Sequence, residues 1–142
     1  MKKLALILLA MLLAAVLLSG CKTQNAQLEG NYWYLTSYGN VDSPKDLLKD
    51  TEITLFFDGD EGFLNGSAGC NSYGADYEIN GGGITVSDIA STEIYCTSPE
   101  GIMEQEAEFL SLLGDAETFE VDDTALTIFC SGGQELFFTT AR

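Results

Sequence analysis

Gly69-Cys70-Asn71-Ser72-Tyr73 and Thr92-Glu93-Ile94-Tyr95-Cys96 are the stretches of this 142-residue chain where side chains able to do chemistry gather. Each sets a cysteine among small, hydroxyl or amide residues, between segments that alternate apolar and polar. Thiols in such a place could attack a substrate, bind a metal or form a crosslink. The chain has no histidine, which removes Ser-His and Cys-His nucleophile pairs, and no Ser-x-x-Lys motif replaces them in residues 28–142. No Cys-x-x-Cys pair supports redox catalysis. Zinc would need thiolates that a cystine consumes. Asp58, Asp60 and Glu61 resemble the start of a calcium loop, but the Asp-x-Asp-x-Asp-Gly spacing with a glutamate at the twelfth position is missing, so a solvated turn is expected. The many carboxylates could hydrolyse a glycosidic bond only if two faced each other across a cleft at about 5–9 Å. The expectation is therefore no catalytic residue, no metal site and no cofactor.

One carboxylate stands out by position. Ser98 as cap, Pro99 in the first turn, Glu100 at the positive dipole end and Gly114 as a stop predict a helix between them. At 100° per residue, Ile102, Met103, Ala107, Phe109, Leu110 and Leu113 fall within an arc of about 160°. Glu106 lies in the middle of that arc, while Glu104, Gln105 and Glu108 lie on or beyond its rim. A buried carboxylate is costly unless hydrogen-bonded, and basic partners are few. Its expected partners are N–H groups, hydroxyls or amides of a nearby turn, with residues 69–73 the turn we expect. Asn71 in that turn suits a left-handed backbone or an Asx-turn. The alternative is that Asn71, Thr92 and Glu106 converge as a buried polar network that fixes the fold or lines a ligand site.

These residues need a scaffold, and period-two alternation predicts a β one. Trp33 and Leu35 share a face of the first strand, and Ile53, Leu55 and Phe57 a face of the second. Residues 41–50, with Pro44, read as a loop or a single helical turn. Strands follow at 63–67, 73–79 and 83–86, the last two joined by Asn80-Gly81-Gly82, and another at about 90–96. Residues 118–121, 126–130 and 135–139 form a closing meander. Tyr32, Tyr34, Phe56 and Phe137 lie opposite the core positions, where the helix or a second sheet layer would cover them. Left exposed, they would form a contact patch.

Met1-Lys2-Lys3, an apolar or small run over residues 4–18, and Leu18-Ser19-Gly20-Cys21 have the form of an export signal ending in a bacterial lipobox. The run is too short to span a bilayer, which needs about 20 apolar residues. That motif implies cleavage after Gly20, a lipidated Cys21, a tether over residues 21–27 and one domain over 28–142. The chain would then be lipid-anchored in the cell envelope, on the outer membrane if the cell has one, since Lys22 follows the cysteine. Without residues 1–20 four basic side chains (Lys22, Lys45, Lys49, Arg142) face 22 acidic ones, a formal charge of 4 minus 22, or −18. Such a surface repels nucleic acid and anionic lipid heads, so acyl chains must do the anchoring. The acidity serves solubility or attracts cationic partners or divalent ions. Once Cys21 is lipidated, Cys70, Cys96 and Cys130 allow one bond at a time. Cys70 and Cys96 sit in turn-like contexts and Cys130 in a strand pattern. The favoured bond is Cys70 to Cys96, with Cys130 a small buried hydrophobe.

The ordered pieces Trp33-x-Leu35, Gly66-Ser67-Ala68-Gly69-Cys70-Asn71-Ser72-Tyr73, Thr92 to Cys96, Glu106-x-x-Phe109-Leu110-x-x-Leu113 and Leu126-Thr127-Ile128 resemble the META domain family of HslJ-like heat-shock lipoproteins. The resemblance implies a mainly β (α+β) fold: an antiparallel, barrel-like sheet of about eight short strands with one helix packed on it. It also implies a place in the envelope and a link to stress tolerance, and brings no activity with it. Cys130 departs from the family pattern, which leaves the cysteine pairing open. The expected role is a non-catalytic binding or accessory one, with an envelope protein or cationic peptide as partner. The alternatives are an acidic inhibitor or scavenger of cationic proteins, and a carboxylate-based hydrolase.

Overall fold

Alternating side chains give each strand one wet face and one apolar face, and a sheet of such strands buries the apolar face by curling on itself. The computed structural model describes residues 27–141. The signal segment, Cys21 and residues 22–26 lie outside the described residues. In chain order the elements are β1 (Tyr32–Asn40), β2 (Ser43–Asp46), β3 (Thr54–Asp58), β4 (Phe63–Ser67), β5 (Ser72–Asn80), β6 (Gly83–Ser91), α1 (Ile102–Gly114), β7 (Ala116–Val121), β8 (Ala125–Cys130) and β9 (Gln134–Thr139). All pairings are antiparallel in the order β1-β3-β4-β5-β6-β7-β8-β9, and β9 returns to β1 to close eight strands into a barrel. The architecture expected from the sequence is the one observed. Trp33, Leu55, Phe57, Leu64, Ile128, Leu136 and Phe138 fill the interior. The Trp33 indole N–H finds its buried partner in the Leu28 carbonyl at 2.9 Å.

The helix enters between β6 and β7, whose ladder holds one register pair, Gly83 with Thr118, and packs against β6 and β9. Ile102, Phe109, Leu112 and Leu113 are buried, each burial contributing about 1.5–3 kcal/mol. Phe109 meets the Tyr73 ring edge-on at 5.4 Å.

Several expectations need correction. Residues 43–46 are neither loop nor helical turn but β2, paired with the second half of β1 beside β3. All four of its side chains are exposed, so the strand leaves no apolar alternation to read. Residues 83–86 and 90–96 are not two strands. A bulge places Asp88, at φ 52, and Ile89 opposite Ala75 alone, which continues β6 through to Ser91 while breaking the alternation. The chain beyond Ser91 leaves the ladder. The helix starts not behind Ser98 but at Ile102, with left-handed Gly101 as the N-cap and no side-chain cap. Pro99 instead forms a turn before it, its carbonyl accepting from Ile102 N–H at 3.2 Å. At the other end the cap is Asp115, one residue past Gly114. Finally, among the described residues no second layer covers the outer face: closure leaves Tyr32 exposed against Phe56 (5.0 Å between ring centroids), with Tyr34, Phe56 and Phe137 half-buried.

The buried helix face is also turned. Ile102, Gln105, Glu106, Phe109, Leu112 and Leu113 span about 120°, an arc centred about 80° from the expected one. Met103 and Leu110 are thereby half-buried and Ala107 exposed. Glu106 consequently sits at the edge of the buried arc, where it can reach the polar rim of the barrel.

Gly66 lies in β4, one residue past the last register pair of its ladder with β3. A Cβ there would fall 1.9 Å from the Thr54 carbonyl oxygen, an obstacle in the backbone itself. Gly66→Ala is expected to destabilise the fold by about 1–3 kcal/mol, read as a lowered urea midpoint.

Candidate functional site

The turn after β4 is shaped to present two successive N–H groups. Ala68 N–H bonds the Asn71 carbonyl at 2.7 Å, and Gly69 takes φ 113, a conformation side chains resist. The amides of Cys70 and Asn71 then converge on one oxygen of Glu106, at 3.1 and 2.7 Å. Its other oxygen accepts from Asn71 Nδ2 at 2.6 Å. This is an anion-binding backbone nest filled by the chain's own carboxylate. Glu106 is 5 % exposed, and three N–H donors offset its desolvation, hydrogen bonds to charged groups being worth about 1.5–3 kcal/mol each.

Asn71, 2 % exposed, carries the connection onward. Its Oδ1 accepts from Thr92 Oγ1 and Ile94 N–H, both at 2.7 Å, and its Nδ2 also donates to the Ile94 carbonyl at 3.0 Å. The amide thus spans helix and strap, the strap being residues 92–96. Asn71 makes neither of the structures considered for it: its φ is not positive and its side chain closes no Asx-turn. Cys70 and Cys96 are joined by a disulfide with Cα atoms 6.0 Å apart, which fixes the far end of the strap. The structure therefore brings Asn71, Thr92 and Glu106 together at the cystine. Both oxygens of Glu106 face N–H donors at 2.6–3.1 Å, so its chemistry here is to hold the turn and the strap in place.

Gln105 is the partner the sequence reading missed. Placed on the rim of the expected arc, it is buried, accepts from Leu48 N–H at 2.7 Å and donates to Thr51 Oγ1 at 3.1 Å. Adjacent helix residues thus hold two different segments, Gln105 the 48–51 loop and Glu106 the 70–71 turn. A polar residue beside the anomalous glutamate was the available signal. Lys45 pairs with Glu108 at 2.6 Å on the surface, where such pairs contribute about 0–1 kcal/mol.

Asp58, Asp60 and Glu61 lie at the turn between β3 and β4, closed by Gly62 N–H on the Asp58 carbonyl at 3.1 Å. Among the described residues no three metal-ligating side chains are gathered. Cys130 is a free, buried thiol at the end of β8. Burial, with Asp115, Glu117 and Glu135 nearby, pushes it up to about 12. Burial and Glu29 likewise push Tyr77 up to about 12, and burial raises Tyr73 further. These groups stay protonated in the fold, while the unfolded chain ionises them from about pH 8.5–10. The contributions of Cys130 and Tyr77 are complete below that range and are lost as pH rises through about 12, that of Tyr73 higher still. The urea midpoint is expected to fall between pH 9 and 11, and Tyr77→Phe to flatten that fall.

A closed antiparallel barrel, stoppered by one helix whose carboxylate seats a cystine-bearing turn, defines the structural class. The META domain profile matches residues 26–142, and the chain belongs to the META domain family. Among solved structures it is similar to a protein from Burkholderia xenovorans determined by NMR: TM-score 0.68, 20 % identity, covering 80 % of this chain and 83 % of that one. It is also similar to a DUF4847 family protein from Bacteroides vulgatus determined by crystallography: TM-score 0.60, 13 % identity, covering 80 % of this chain and 94 % of that one. At such identities the likeness is one of fold. The comparison with curated proteins gives no match.

Proposed function

We propose that this chain is an exported lipoprotein, anchored through Cys21 in the bacterial cell envelope, whose META domain has a non-catalytic binding or accessory role in envelope stress tolerance. The observation that carries the reading is Cys21 itself. It stands directly behind the apolar run and Leu18-Ser19-Gly20, five residues ahead of the family match at residue 26. The six residues 22–27, at no more than about 3.5 Å each, hold the barrel within roughly 20 Å of the bilayer. The acyl chains supply the anchorage that the acidic surface would oppose. A non-catalytic role is supported by Glu106, whose oxygens are both engaged in holding the turn.

Metabolic labelling with an alkyne fatty acid tests the anchor. The expected result is label on the wild-type chain, none on Cys21→Ser, and an acylated amino-terminal peptide beginning at Cys21. Unlabelled wild-type chain, or one still carrying residues 1–20, would overturn it.

A further inference from the structure

Tyr95 and Ile94 are 79 % and 59 % exposed, yet they stand on a segment whose backbone is held at both ends. Residues 92–97 contain neither turn nor bend, so the strap runs extended. Asn71 engages both the N–H and the carbonyl of Ile94, and Thr92 N–H bonds the Ser72 carbonyl at 3.0 Å. Cys96 is fixed by the cystine, and its N–H meets Met103 Sδ at 3.4 Å. In an extended chain successive residues turn their backbone groups to opposite sides, so those of Glu93 and Tyr95 face away from Asn71. A segment already ordered before binding avoids most of the ordering cost of association.

Beside the strap lies a groove of about 190 Å³ lined by Tyr95, Pro99, Glu100, Ile102, Met103 and Glu104. It combines apolar side chains with carboxylates, and Glu93 adds another acid on the strap. Among the described residues the one ion pair is Lys45 with Glu108, so Glu93, Glu100 and Glu104 have no counter-charge among those residues. The complement to this surface is apolar and positively charged.

We propose that the strap 92–96 and its adjoining groove dock an extended, cationic amphipathic segment of a partner protein. The apolar side chains of the partner pack on Tyr95 and on Met103 across the groove, its lysines or arginines meet Glu93, Glu100 and Glu104, and the Tyr95 ring offers a face to a cation. This names the partner class of the binding role above and rests on that reading, but not on the lipid anchor.

The test uses the full chain in neutral detergent and a fluorescent peptide of alternating lysine and leucine, read by anisotropy. Binding should weaken with salt, and Tyr95→Ala should weaken it about ten-fold. The triple change Glu93→Gln, Glu100→Gln, Glu104→Gln should weaken it and flatten its salt dependence. Asp58→Asn, Asp60→Asn, Glu61→Gln alters charge equally at a distant turn and should change nothing. Absence of binding, indifference to Tyr95→Ala, an equal loss in the distant variant, or equal affinity for polylysine would overturn the proposal. The Cys21 labelling result stands or falls independently of all of these.

Discussion

Glu106→Gln is expected to lower the unfolding free energy by about 2–3 kcal/mol, seen as a fall in melting temperature of about 10 °C. Glutamine preserves shape but has one acceptor oxygen. If that oxygen stays under the amides of Cys70 and Asn71, its NH₂ faces Asn71 Nδ2, donor against donor. If it turns over, the NH₂ faces two backbone N–H groups. Asn71 cannot flip to relieve this, because Oδ1 already accepts from Thr92 and Ile94. Some buried donor is unpaired in every arrangement. Urea denaturation at neutral pH checks the magnitude, and an unchanged midpoint would remove Glu106 from its assigned role.

Removing the cystine as Cys70→Ser with Cys96→Ser is expected to cost about 3.5 kcal/mol, by the chain entropy of closing its loop. Its two cysteines are 26 residues apart in sequence. The two losses should not add. The cystine and the Glu106-Asn71 pair both hold the strap to the same turn, so removing the bond in a Glu106→Gln background should cost about 1 kcal/mol less than in the wild type. A double-mutant cycle in urea measures this coupling directly. Strict additivity would mean that the two devices stabilise different parts of the fold.

What could be read in advance divides along physical lines. The strands that enclose the core were legible because burial on one face imposes period two. β2 was not, because an edge strand with four exposed side chains is held by backbone hydrogen bonds to β1 that residue types do not encode. The strap passed for a strand because it is extended, but a side-chain amide, not a ladder, holds Ile94. Ser98-Pro99-Glu100 looked like a helix start, and the chain uses it for a preceding turn. Glu106 was legible because a charge inside an apolar arc demands donors. Its neighbour Gln105 escaped because an uncharged amide on the rim fits solvent equally well.

Amide hydrogen exchange at Cys70 and Asn71, in the wild type and in Glu106→Gln, tests most directly whether the helix carboxylate holds the turn. The wild type should show both amides protected. The substitution should lower the protection of these two while the β4–β5 ladder keeps its own. Free exchange of both amides in the wild type, or a uniform loss of protection across the barrel in the variant, would contradict the account.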